Sequence, residues 1–263
     1  MYKIFSGILV ILALSFSVFS TSTNAETIGE IENEIEMDAR LLELGYPDRL
    51  IKELHITEKE RIANSDEIAE FSGGKTTHYD LNGQVVYEDD YTSTTPLMMP
   101  YGTIVNMTVT QWAQRLVTSS NREIFELESK YQWNISPVNR LTDLIGFAWD
   151  GNKFNLIPNT SYLVVGGTGW DGPGTHTTNK LYSSSFSGAG WAFPMPKTGT
   201  RPIAAARIRI QEISAIGGTS QIHSLYSHIK GNGTVGLNLG ILSVSYVGTA
   251  LNDQRATVTN FNY

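Results

Sequence analysis

From Glu123 to Ile135 the chain alternates in character, with Phe125, Leu127, Tyr131, Trp133 and Ile135 on one side and Glu126, Glu128, Lys130, Gln132 and Asn134 on the other. A period of two over this length specifies a β-strand with one buried face, because successive side chains leave a pleated backbone in opposite directions. Such a strand needs partners. Val105, Met107 and Val109 alternate with Asn106, Thr108 and Thr110 before it, and Ile145, Phe147 and Trp149 share a face after it, so the three are expected to form a meander. Asn82-Gly83 between HYDL and QVVYEDDY is the two-residue hairpin signal. Further strands are predicted at 161–165, 205–213, 222–229, 234–247 and 256–263. In the run 234–247 the apolar parity changes between Ile241 and Leu242, which a β-bulge would explain. Many short strands separated by turn residues predict a mainly β fold, an antiparallel β-sandwich over residues 73–263.

The region before it reads differently. Ile28, Ile31, Ile35, Ala39 and Leu42 recur at helical spacing, and Gly45 with Pro47 supplies a stop. A short turn follows over 48–54, and Thr57 with Glu60 matches a capping box that predicts a third helix from Glu58. Residues 26–72 carry 14 acidic and 5 basic side chains, against 12 and 13 in residues 73–263. The sandwich is therefore expected to be preceded by a short acidic helical leader, 26–72. The apolar stripe of the leader calls for a covering surface, with 41–62 the docked part. The neutral β-region offers little Coulombic attraction, so this docking is expected to be hydrophobic.

Ahead of the leader, Lys3, an apolar run from Ile8 to Phe19 and the small-residue pattern Thr23, Asn24, Ala25 predict a signal peptide, residues 1–25. No second apolar run of helix-spanning length follows, so no membrane span is expected after cleavage and the mature protein is expected outside the cell. The chain has no cysteine, which removes disulfides, thiolate nucleophiles and lipidation at the mature N-terminus, and favours a bacterial source. The β-region has no cluster of Lys and Arg, so no nucleic-acid partner is expected.

The motifs are weak in chemistry. Gly167, Gly169 and Gly172 follow a strand in the spacing of a dinucleotide loop, yet Pro173 and Gly174 follow at once where a helix N-terminus must begin, so no cofactor is expected. That loop carries Trp170, Asp171 and His176, an indole able to stack on a sugar beside two polar groups. These are the candidate ligand-binding residues. His223 and His228 are five apart and so on opposite strand faces, and no metal is expected. There is no GxSxG elbow, and no catalytic residue is assigned; Asp143, Asp150 and Asp171 are the acids best placed for a glycosidase pair. The polar knot PVNRLTD, Pro137 to Asp143, reads as a connector rich in turn-forming side chains, and Arg207, Arg209 and Gln211 read as a solvated strand face. The Ser/Thr-rich segment 175–187 has too few apolar residues for a lipid-facing strand.

The order LLELGYPDRLIKELHITEKERI, YQWNISPVNRLTDLIGFAWDG, YSHIKGNGTVGLNLGILSVSYVG and a terminal TNFNY resembles a group of uncharacterised secreted proteins of Gram-positive bacteria, over roughly 41–263. The resemblance implies a short helical leader before a β-rich domain and brings no catalytic residue with it. The functional expectation is a non-enzymatic extracellular module that uses loops of the sandwich to bind a cell-surface component, a glycan or a protein. The competing expectation is a cell-wall or polysaccharide hydrolase with paired carboxylates.

Overall fold

The computed structural model describes residues 33–91, 106–118, 122–166, 176–196, 201–214, 217–231, 233–239, 243–248 and 252–263. Among these described residues, in chain order, helices α1 (Glu34–Glu43), α2 (Asp48–Glu53) and α3 (Ile56–Ala63) precede fifteen strands. These are β1 (Ala69–Tyr79), β2 (Val85–Asp90), β3 (Met107–Leu116), β4 (Ile124–Trp133), β5 (Thr142–Ala148), β6 (Phe154–Leu156), β7 (Tyr162–Gly166) and β8 (His176–Thr178), then β9 (Ser183–Ser185), β10 (Gly188–Pro194), β11 (Ile203–Glu212), β12 (Thr219–Ile229), β13 (Gly233–Asn238), β14 (Ser243–Gly248) and β15 (Asn252–Asn262). The fold is mainly β, with short helices ahead of the strands.

Two antiparallel sheets form the sandwich. Sheet A runs β2-β1-β3-β4-β11-β7-β8, with β6 on β11, and sheet B runs β15-β12-β5-β10-β9. Their facing sides enclose one core that includes Phe125, Leu127, Tyr131 and Trp133 of β4, Ile145 and Phe147 of β5, Trp191 and Phe193 of β10, and Tyr226 of β12. β4 therefore buries the side its alternation marked as apolar. The expected meander ends one strand early: β3 pairs with β4, but β5 belongs to sheet B, between β10 and β12. The PVNRLTD knot is thus the crossing from one sheet to the other, with Val138 fully in solvent and Arg140 donating to the Pro196 carbonyl at 2.8 Å.

Asp143, at the end of that knot, is completely buried and fastens the crossing. Its carboxylate accepts from the Tyr226 hydroxyl, from His228 Nδ1 at 2.9 Å and from the Ile229 amide at 3.4 Å. Trp133 Nε1 donates to the Tyr226 oxygen at 3.1 Å, joining β4 of sheet A to this network. Burial pushes the Asp143 carboxyl up from the usual range, and its three donors pull against that. An acid enclosed in this way is a structural anchor.

Each outer face of the sandwich has a cover. The helices lie on sheet A, where Met37, Leu41, Leu44, Tyr46, Leu50, Ile51, Leu54 and Ile62 pack with Trp112 and Leu116 of β3. Burying each of these large side chains is worth roughly 1.5–3 kcal/mol. The buried stripe of α1 differs from the one its spacing suggested. Met37, Leu41 and Leu44 face the sheet, whereas Ile35 and Leu42 are 76% and 52% exposed, and Ile28 and Ile31 lie outside the described residues. α1 is capped by Asn33, whose side chain accepts from the Ile35 amide. It closes in a Schellman turn, with the Gly45 amide on Leu42 and the Tyr46 amide on Leu41, for which Gly45 takes φ +82°. α3 begins two residues before the expected start. His55 caps it, and Glu58 Oε2 reaches back to the His55 amide at 2.8 Å, so Glu58 rather than Glu60 closes the box.

On sheet B the cover is the hairpin β13–β14. The parity change that suggested a bulge is a reversal of the chain: Asn238 pairs with Ser243 and Gly233 with Gly248. Between β1 and β2 the chain reverses at Asn82-Gly83, but through the three-residue loop Leu81–Gly83 rather than the two-residue one expected: the Asp80 amide donates to the Gln84 carbonyl, Gly83 takes φ +73° while Asn82 stays out of the positive-φ region, and Asp80 Oδ1 accepts from the amides of Asn82 and Gln84.

Candidate functional site

The polar face of β4 is roofed by α3 rather than exposed. Alternation that sends Phe125 and Leu127 inward sends Glu126, Glu128 and Lys130 outward, and all three are buried under the helix. Arg61 of α3 donates to Glu126 Oε1 at 2.9 Å and to Glu128. Gln114 of β3 donates through Nε2 to Glu126 at 2.6 Å and to Glu128 at 3.2 Å, while its oxygen accepts from the Tyr46 hydroxyl. Lys130 reaches Glu58 at 3.0 Å and the Glu53 carbonyl at 2.9 Å. From the other side Arg209 of β11 donates to Glu126 at 2.9 Å and meets Glu67 at 2.8 Å, and Arg207 stands 3.9 Å from Glu126. The β11 arginines, read from the sequence as a solvated face, are half-buried counter-ions.

These pairings set the two carboxylates apart. Burial alone would raise Glu126, but Arg61, Arg207 and Arg209 reverse that and hold it below the usual carboxylate range. Glu128 is pushed up to about 7, chiefly by burial, with Arg61 opposing and the neighbouring Glu126 adding to the rise. Arg61 is itself held charged by the two carboxylates despite burial.

Beside this network lie two adjoining cavities, one of about 200 Å³ at the edge of α3 and one of about 350 Å³ beside β7 and β11, sharing Tyr162 and Arg207 as their common wall. The first is lined by Thr57, Arg61, Glu128 and Val164 among others, the second by Asn159, Asn179 and Arg209 among others. The half-buried Tyr162 ring carries the Arg207 guanidinium 4.9 Å from its centroid. Thr160 and Ser161 spend their hydroxyls on the Ile157 and Asn179 carbonyls. Asn159 and Asn179 line the second opening, and their exposed side-chain amides make no hydrogen bond among the described residues. Asn159 holds φ +61°, a left-handed conformation that Asn tolerates better than most residues.

Of the residues singled out in the sequence, Trp170 and Asp171 lie outside the described residues. His176 opens β8, where its backbone pairs with Val165 of β7, the strand that carries Tyr162. Asp143 is in the core, and Asp150 accepts from the Asn152 amide in the turn after β5. His223 and His228 fall on opposite faces of β12, with His228 on Asp143. The cleft residues were missed because each strand shows its charges but not its neighbour. The available signal was the recurrence of Glu126, Glu128, Lys130, Arg207 and Arg209 on single faces of two strands in an otherwise sparsely charged region.

No protein-family model matches the chain, and no curated protein does. Among solved structures, Clostridium perfringens delta-toxin aligns over 62% of this chain and 87% of its own at 10% identity and a TM-score of 0.32. The C. perfringens NetB toxin in its membrane-inserted form aligns over 63% and 96% at the same identity and score. Collagen adhesin from S. aureus aligns over 72% and 79% at 10% identity and a TM-score of 0.29. Likenesses this distant assign no activity.

Proposed function

We propose that the protein is a secreted, non-enzymatic binding module that takes a neutral glycan into the cleft between α3 and the outer face of sheet A. The observation that carries this reading is that the cleft's charges are spent within the protein. Arg61, Lys130, Arg207 and Arg209 stand against Glu58, Glu67, Glu126 and Glu128. A balanced, internally paired set gives no net attraction for an ion. What stays available is an aromatic ring and two side-chain amides, the groups that recognise the apolar face and hydroxyls of a sugar.

A second reading, polysaccharide hydrolysis, draws on the split between Glu126 and Glu128, since a low and a raised carboxyl side by side is the pattern of a nucleophile and a general acid. The geometry weighs against it. Both carboxylates accept from one Gln114 amide and one Arg61 guanidinium, so the space a glycosidic bond would occupy between them is filled.

Titration of the mature protein against an array of neutral oligosaccharides, followed by calorimetry on the hits, tests the proposal. Binding should weaken at least tenfold in Tyr162→Ala and in the double variant Asn159→Ala/Asn179→Ala, with an unchanged circular-dichroism spectrum. Absence of any hit, or hits indifferent to these variants, would overturn it. Release of reducing ends that disappears in Glu128→Gln would favour the hydrolase.

A further inference from the structure

The last four strands share one register. β12 pairs with β15 from Thr219 opposite Asn262 to Ile229 opposite Asn252, and β13 pairs with β14 from Gly233 opposite Gly248 to Asn238 opposite Ser243. Moving from Ile229 to Gly233 on one arm advances as many residues as moving back from Asn252 to Gly248 on the other. The two ladders therefore keep one register and serve as the near and far halves of a ribbon. Its far half nevertheless leaves sheet B as a separate two-stranded sheet and lies across that sheet's outer face.

The seat for the far half is cut from glycine. A Cβ at Gly190 would come within 2.0 Å of Leu237 Cδ2 and 3.4 Å of the Gly146 Cα, and a Cβ at Gly188 within 2.8 Å of Leu239 Cβ. β10 is separated from β12 by β5, so the ribbon turns over its own sheet to reach this trough. There Leu237 and Leu239 are buried against Leu225 and Ala256, with Ala148 alongside. Glycine within a strand weakens it and marks a close approach of another backbone. The trough is specific to this occupant.

The arm's composition goes beyond what a cover needs. No charged residue occurs between Lys230 and Asp253, and those two pair with each other at its base. Val235, Leu237 and Leu239 alternate with Thr234, Gly236 and Asn238, and Val244 and Tyr246 with Ser243, Ser245 and Val247, the last standing opposite Thr234 as the one large apolar residue on the polar side of the paired strands. In the shared register Ile229 to Asn238 would run beside Ser243 to Asn252, matching the roughly 9–11 residues with which a tilted β-strand crosses a bilayer. No described helix is long and apolar enough to cross a membrane, but strands are a separate route.

We propose that β13–β14 is a membrane-inserting arm. On leaving the glycine trough the ribbon straightens in its existing register and puts the Leu237 face into the hydrocarbon of a bilayer. Several copies of the chain close a barrel there, because lipid offers no partner to an open strand edge. The polar Thr, Ser and Asn side then lines the interior, and Lys230 and Asp253 stay at the water boundary. A second copy meeting the arm in solution would need the apolar face but neither the charge-free length nor the polar opposite side.

Because the chain has no cysteine, introduced cysteines report alone. In Gly188→Cys/Leu239→Cys the two Cβ atoms start 2.8 Å apart and must part by about 1 Å to reach disulfide geometry; the bond then holds the arm at its seat, and dithiothreitol frees it. Wild type and the reduced variant should release dye from phosphatidylcholine–phosphatidylglycerol vesicles, the oxidised variant at least tenfold less. In a second, independent pair, Val244→Cys and Ser245→Cys each carry an environment-sensitive fluorophore. Emission should rise severalfold on vesicles at position 244 and stay flat at 245. Tyr162→Ala should behave as wild type in both assays, which separates the arm from the glycan cleft. Equal release before and after reduction, no release by any form, a like response at both labelled positions, or a response to protein concentration without vesicles would overturn the proposal.

Discussion

Replacing Glu128 by glutamine isolates the cost of keeping a carboxyl under α3. The folded chain raises this group from 4.5 to about 7. Between those values the folded state keeps a proton that the unfolded state has released. Its contribution to stability is therefore complete below pH 4.5 and declines as pH rises to about 7. At about 1.4 kcal/mol per unit, the full excursion is on the order of 3 kcal/mol. Glutamine has the same shape, still accepts from Arg61, and does not titrate. The difference in unfolding free energy between Glu128→Gln and wild type, measured in urea at several values from pH 4.5 to 8, should move in favour of the variant by about 2–3 kcal/mol. Glu126 has the opposite sign. Its lowered carboxyl stabilises the fold above the ordinary value of 4.5 and loses that contribution on acidification below it, outside the pH window of this comparison. Parallel stability curves, or a difference that moves toward wild type as pH rises, would refute the assignment of a burial-raised carboxyl at Glu128.

Asp143→Ala should cost about 3 kcal/mol or more in urea unfolding, since the buried Tyr226 hydroxyl, His228 and the Ile229 amide lose their shared acceptor; Asp143→Asn should recover part of it. Gly190→Ala should destabilise by about 1–3 kcal/mol through overlap with Leu237. Adding Leu237→Ala should relieve the overlap, giving a coupling of about 1 kcal/mol in a double-mutant cycle. Lys130→Met, which strips Glu58 of its cation, should speed tryptic cleavage within 49–61 severalfold while the near-ultraviolet signal of the Tyr131 and Trp133 core persists.

The strands were legible where one face is apolar and the other is not. β4 announces itself through Phe125, Leu127, Tyr131 and Trp133, and Asn82-Gly83 announces its turn, because period two and positive φ are local properties. Sheet membership was not legible: nothing in β5 says that Ile145 and Phe147 face β4 across a core instead of standing beside it. The cleft was hidden for a related reason. Charge counts gave an acidic leader and a neutral β-region and so argued for hydrophobic docking. The contact is hydrophobic over Leu41 to Leu54, yet Arg61 also meets two carboxylates and Glu58 one ammonium group on β4. Totals average over the pairs that decide the matter. Likewise Ile35 and Leu42 fit a helical stripe as well as Met37 and Leu41 do, and only the position of Trp112 beneath the helix chooses between them.

The helices are made first and completed last. Arg61 waits for Glu126 and Glu128, Glu67 waits for Arg209, and Ser72 closes onto the Asn262 carbonyl at the far end of the chain. Helices this short are marginal alone, so the segment that leads the polypeptide gains little by ordering before sheet A exists. Contacts spanning most of the sequence must be closed against chain entropy, which makes folding slow and leaves the emerging chain pliable. A polypeptide whose N-terminal part cannot lock early can still be threaded through a narrow passage, and it acquires its final resistance only once its last strand is in hand.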